Sequence, residues 1–106
     1  MTQTELFQAL KSIGFPVAYG EFSSQVTPPF ITYQFANSND LIADNINYVS
    51  IENFQVELYT AKKDLAAEQK VQDKLKELGL PYRKFETFLD EEKVYQILYE
   101  VQLIGG

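Results

Sequence analysis

Carboxylates are the most numerous reactive side chains in this chain of 106 residues, which carries fifteen Asp and Glu and seven Tyr but neither His nor Cys. Without Cys there is no thiolate nucleophile, disulfide or sulfur metal ligand. Without His, the usual general base near neutral pH and the most frequent metal ligand are missing. Ser–His–Asp, Cys–His and zinc chemistries are therefore excluded by inventory. Asp90, Glu91 and Glu92 come nearest to an acid–base set. Adjacent residues in a hairpin turn point apart into water, however, and a catalytic carboxylate needs burial or a close partner to shift its pKa. Asn37 to Asp40 with Asp44 supply oxygen ligands that a calcium ion would accept, but without the spacing of an EF-hand loop or its terminal bidentate Glu. Both groups read as solvated loop polarity. No enzyme activity, metal or cofactor is expected.

The formal charge of −6 is uneven, with Lys11 the one cation of residues 1–53 against Glu5, Glu21, Asp40, Asp44 and Glu52. A nucleic-acid binder needs a basic face to release counterions. Here the basic pairs Lys62-Lys63 and Arg83-Lys84 are scattered among carboxylates and read as solvated surface, so no specific nucleic-acid binding is expected. The start of the chain has neither a basic n-region nor an apolar h-region, and no run approaches 18 apolar residues. Secretion and membrane insertion are accordingly not expected.

These side chains must be carried by a small scaffold. A length of 106 residues suits one domain, residues 1–106, and 45% hydrophobic residues are enough to offset the entropy of ordering it. Leu6, Phe7, Leu10 and Ile13 predict a helix from Thr4 to Ile13, entered through the capping-box spacing of Thr2 to Glu5 and closed by Gly14. Phe15 to Gly20 reads as an apolar connection and residues 20–29 as a loop. The Pro28-Pro29 pair then leads into a strand from Phe30 to Phe35.

Four Asn and two Asp between Ala36 and Asn47 predict a long polar loop around the apolar island Leu41 to Ala43. Alternation resumes from Tyr48 to Thr60 with a change of phase that predicts a bulge near Glu52-Asn53. Lys62 to Leu78 reads as a second helix capped by Asp64, with Leu65, Val71, Leu75 and Leu78 as its stripe and Gly79 at C′. Tyr82 to Leu89 is a third strand, and Asp90 to Glu92 a tight turn.

In the last run, from Lys93 to Ile104, Tyr95, Ile97, Tyr99, Val101 and Leu103 recur with the period of two that commits one strand face to a core. The class is α+β: the order αββαββ predicts a four-stranded, mainly antiparallel sheet with two helices packed on one face. Tyr33, Tyr48, Tyr59, Tyr82, Tyr95 and Tyr99 read mainly as core filler with a polar end at the rim. On the other sheet face Val94, Leu98 and Ile104 mix with Gln96, Glu100 and Gln102, a semi-apolar surface of the kind that meets a second subunit.

The stretches Pro28 to Tyr33, Ala43 to Asn45 with Tyr48, Phe54 to Asp64 and Glu92 to Glu100 resemble the tail-completion proteins of long-tailed phages and Gram-positive prophages, over nearly the whole chain. The resemblance implies a tail terminator or head–tail joining protein, usually a ring of six subunits, that caps the tail tube and faces the head connector. Such a protein would assemble in the host cytoplasm and reside in the virion. The contact surfaces expected for it are the polar loop, at Asn39, Asp40, Leu41, Ile42 and Asn45, and the outer sheet face, at Val94 and Leu98. The competing reading is a small ferredoxin-like binding module that recognises a peptide or small ligand on its sheet face.

Overall fold

The computed structural model of the chain describes residues 1–39, 41–43 and 46–104, the side chains of 41–43 and 46–48 apart. Two helices and seven strands follow in the order α1 (Gln3–Lys11), β1 (Val17–Tyr19), β2 (Phe30–Ser38), β3 (Leu41–Ala43), β4 (Ile46–Val49), β5 (Ile51–Thr60), α2 (Leu65–Glu77), β6 (Tyr82–Leu89) and β7 (Val94–Ile104). Five strands form a mixed sheet in the order β1-β2-β5-β7-β6, and β3 and β4 form a separate two-stranded hairpin. The fold is α+β, but its sheet has five strands where the alternation pattern predicts four, and its order is richer than αββαββ.

The extra strand is β1. Residues predicted as a connection lie parallel to β2, with Val17 opposite Ile31 and Tyr19 opposite Tyr33. The Ile31 N–H donates to the Pro16 carbonyl at 2.8 Å, and the Gly20 N–H to the Tyr33 carbonyl at the same distance. Three residues are too few for a period of two to register, and their hydrogen-bonding partner lies across a loop. That loop approaches β2 through a cis Pro28–Pro29 bond.

The expected polar loop is also corrected. β2 continues to Ser38, and Leu41–Ala43 pairs antiparallel with Ile46–Val49, so the stretch carries strands of its own despite its Asn and Asp content. The register shift lies between Phe35 and Asn37 in β2. By contrast, β5 runs unbroken beside β7, from Ile51 opposite Ile104 to Thr60 opposite Tyr95. Ile51 is simply on the other face from Phe54, so the phase change expected near Glu52-Asn53 marks which face each residue takes, and the inserted residue is Ala36.

Both helices feed one core. Leu6 and Leu10 of α1 and Ala67, Val71 and Leu75 of α2 cluster with Ile31, Tyr33, Phe54, Val56, Leu58, Ile97, Tyr99, Val101 and Leu103, all on one sheet face. The α1 cap is a full capping box: the Glu5 N–H donates to Thr2 Oγ1 at 3.1 Å, and the Thr2 N–H to Glu5 Oε1 at 2.8 Å. Asp64 caps α2 by accepting from the Ala67 N–H at 3.0 Å. At C′, Gly79 has φ +71°, where a Cβ would be strained. Leu65 departs from its expected stripe and is 69% exposed. As the first helical residue it stands one turn beyond the core, and Glu68 occupies the next stripe position. Among the described residues no helix is long and apolar enough to cross a membrane.

Candidate interaction surfaces

The register brings side chains of the outer face into rows that cross the sheet. One row is Thr32, Glu57, Leu98 and Phe85; the next is Phe30, Tyr59, Gln96 and Thr87. Val94 and Leu98, expected at a contact, lie half-buried on this face. Asn39 is exposed at the end of β2, its N–H donating to the Ile51 carbonyl at 2.8 Å. Leu41 and Ile42 belong to β3 by their backbone. Asp40 and Asn45 lie outside the described residues, as does Asp44 of the oxygen-rich cluster. In that cluster Asn37 instead accepts from Asn53 Nδ2 across the strand pair at 2.6 Å.

At the centre of the outer face is Glu57, a carboxylate only 8% exposed. Its Oε2 accepts from Gln96 Nε2 at 2.7 Å and from the Tyr59 hydroxyl at 3.2 Å. Its Oε1 accepts more weakly from Gln34 Nε2 at 3.4 Å and Thr32 Oγ1 at 3.5 Å. All four donors are neutral. Burial raises the Glu57 pKa above the ordinary carboxylate value, against the opposing pull of the hydroxyl and amide donors. Tyr59 is raised too, first by burial and also by the neighbouring Glu57 charge. Phe30 stacks on Tyr59 at 4.8 Å between centroids, and Phe22 of the loop meets Phe30 edge-on at 5.4 Å. Between loop and sheet lies an open cleft of about 440 Å³, which these three rings share with Val94.

On the helix face is a second carboxylate that composition does not reveal. Glu68 of α2 is 1% exposed, and its two oxygens pair with Lys63 and Lys84 at 2.7 Å each. Lys63 also pairs with Glu86. Burial alone would raise the Glu68 pKa; the two ammonium groups outweigh it and hold the carboxyl below its ordinary value. Lys63 is raised, chiefly by its bond to Glu68. One residue from each of the basic pairs read as solvated surface is thus structural. The i, i+3 step from Glu68 to Val71 was the available sign, since it sets a carboxylate in the apolar stripe of α2.

Of the tyrosines read as core filler, Tyr33, Tyr82, Tyr95 and Tyr99 lie on the helix-covered sheet face and Tyr59 on the outer face, while the Tyr48 side chain lies outside the described residues. Tyr33 and Tyr99 are buried, and Tyr82 meets Tyr99 edge-on at 5.2 Å. Burial pushes the Tyr99 hydroxyl far above its ordinary pKa, and it is held by Gln72 Oε1 at 3.1 Å. Asp90, Glu91 and Glu92 are exposed in the β6–β7 turn. Among the described residues no three His, Cys, Asp or Glu side chains converge as a metal site.

Near the root of the β3–β4 hairpin, a groove of about 800 Å³ is bordered by Asn37, Asn53, Gln102 and Ile104. Ile104 is 55% exposed and Phe35, in the same region of β2, is 43% exposed. Neither a protein-family model nor a curated protein matches the chain.

Proposed function

We propose that this chain is a structural virion-assembly subunit, a ring-forming tail terminator or head–tail joining protein that caps the tail tube and presents an interface to the head connector. The observation that carries this reading is elongation. The molecule measures 50 × 27 × 24 Å with a radius of gyration of 14.7 Å, where a compact domain of this length has about 13 Å. The excess goes with strands that run past the helix-covered core and with a hairpin of separate pairing at their end. Exposed apolar side chains and a groove of mixed polar and apolar lining near the hairpin root are features suited to contact between subunits. Ring closure needs one face of a subunit against a different face of the next, and the hairpin and the outer sheet face with Val94 and Leu98 provide two unlike surfaces. Six copies, host cytoplasm during assembly and the tail or head–tail interface of the virion belong to the same reading.

Leu41→Asp tests it. The substitution is expected to leave thermal unfolding unchanged while abolishing assembly on isolated tail tubes, followed by sedimentation and electron microscopy. Unimpaired assembly would remove the hairpin from the account, and a strictly monomeric chain in the presence of tubes would overturn the ring. The cleft beside Phe22, Phe30 and Tyr59 favours the second reading, a ferredoxin-like module for a peptide or small ligand. Its mark is saturable binding by a monomer, read by calorimetry and lost in Tyr59→Ala.

A further inference from the structure

β6 forms one margin of the sheet, paired with β7 on one side and with no strand on the other among the described residues. Six of its eight side chains are exposed, among them Phe85 at 41% and Phe88 at 42%. A margin of this length presents a row of unpaired backbone N–H and C=O groups that can template another strand. Here the charges change sign about Phe85, with Arg83 and Lys84 before it and Glu86 after it.

Directly opposed residues of an antiparallel pair share a face. A two-fold axis through Phe85 would therefore set Lys84 against the second copy's Glu86, and Glu86 against its Lys84. Tyr82 would face Phe88, Arg83 would face Thr87, and Phe85 would face itself. Shifting the axis to Lys84 or to Glu86 instead opposes two like charges, which is unfavourable. The favoured register also joins two neutral quartets, Glu68, Lys63, Lys84 and Glu86 of each copy, into one alternating network.

We infer that two copies of this chain pair through β6, antiparallel about Phe85, to make one continuous sheet. Such an isologous contact closes on itself and cannot generate a ring. It goes beyond the assembly role and describes the free chain in solution.

The absence of Cys makes single-cysteine cross-linking a clean test. With a short bifunctional thiol reagent, Phe85→Cys is expected to give a covalent dimer at least tenfold faster than Glu91→Cys, an exposed turn position that reports random collision. Arg83→Cys and Thr87→Cys should each react at the collision rate alone and rapidly when mixed. A Phe85→Cys rate equal to that of Glu91→Cys would overturn the pairing, and so would Arg83→Cys linking to itself faster than Phe85→Cys. In sedimentation, Phe85→Lys and Phe85→Glu should each be folded monomers that recover the dimer when mixed; a mixture that stays monomeric refutes the register. None of these outcomes depends on tail tubes, so failure here is separable from failure of the ring.

Discussion

Replacing Lys63 by Met keeps the aliphatic stem and deletes the ammonium that neutralises Glu68 Oε2 at 2.7 Å. Removing one partner of a fully buried ion pair costs about 3–5 kcal/mol, whereas an exposed pair is worth about 0–1 kcal/mol. Glu68 is at the buried extreme, but the Lys63 side chain is 41% exposed and Lys84 still holds the other oxygen. An intermediate loss of about 2 kcal/mol is expected, which lowers the urea midpoint by roughly 1 M at neutral pH. The sign of the pH dependence follows from the depressed Glu68 pKa. Stability from this group is present above the unfolded carboxyl pKa and lost as pH falls through the folded one. Lys63 remains charged throughout, so the gap between Lys63→Met and the unaltered chain should narrow on acidification below pH 7, as Glu68 takes up its proton. A midpoint within roughly 0.3 M of the unaltered chain at pH 7, or a gap that does not narrow in acid, would refute the reasoning.

Leu75→Ala and Ile97→Ala delete side chains with no solvent exposure and should each destabilise by about 2–5 kcal/mol in denaturant titration. Glu57→Gln should be neutral or stabilising at pH 7. The raised folded pKa means that Glu57 favours the native state below its unfolded pKa, an advantage lost as pH rises through the folded one; the benefit of Gln should therefore vanish toward pH 3 in paired melts. Lys93 sits at φ 57°, in the left-handed region that costs an ordinary residue about 1 kcal/mol. Lys93→Gly should accordingly raise the melting temperature by a few degrees, and a lower value would mean that the Lys93 side chain makes a contact worth more than the strain.

Features whose causes are local were legible in the sequence. The reciprocal cap of Thr2 and Glu5, the glycine closing α2 and the alternation of β7 each act within a few residues, and the structure forms all three. β1 was not legible, because a strand of three residues is defined by the neighbour it bonds to, and β2 lies beyond a loop. The hairpin was concealed by Asn and Asp, whose local preference for turns is overridden by pairing between Leu41–Ala43 and Ile46–Val49. Leu65 was misplaced because periodicity fixes an angle about the helix axis and says nothing of where the sheet ends. Among the candidate interaction surfaces, the place of Val94 and Leu98 on the outer sheet face follows from the other phase of β7. The setting of Glu57 needed three strands in register, and Lys63 and Lys84 meet at Glu68 only once α2 lies over β6.

The strand that comes last in order, β7, lies between β5 and β6, and its partners across β5 are remote in the chain: Glu57 and Leu98 are 41 positions apart. Contact order this high slows folding, since a long loop must close before its contacts form. During synthesis the ribosome releases both helices and six strands before the residue row that completes their shared interior. Until Tyr95 to Leu103 emerge, the nascent polypeptide holds an amphipathic layer with one wall missing and is open to chaperone capture. Truncation within β7 should therefore abolish the native state outright, whereas shortening at the opposite terminus should erode it by degrees.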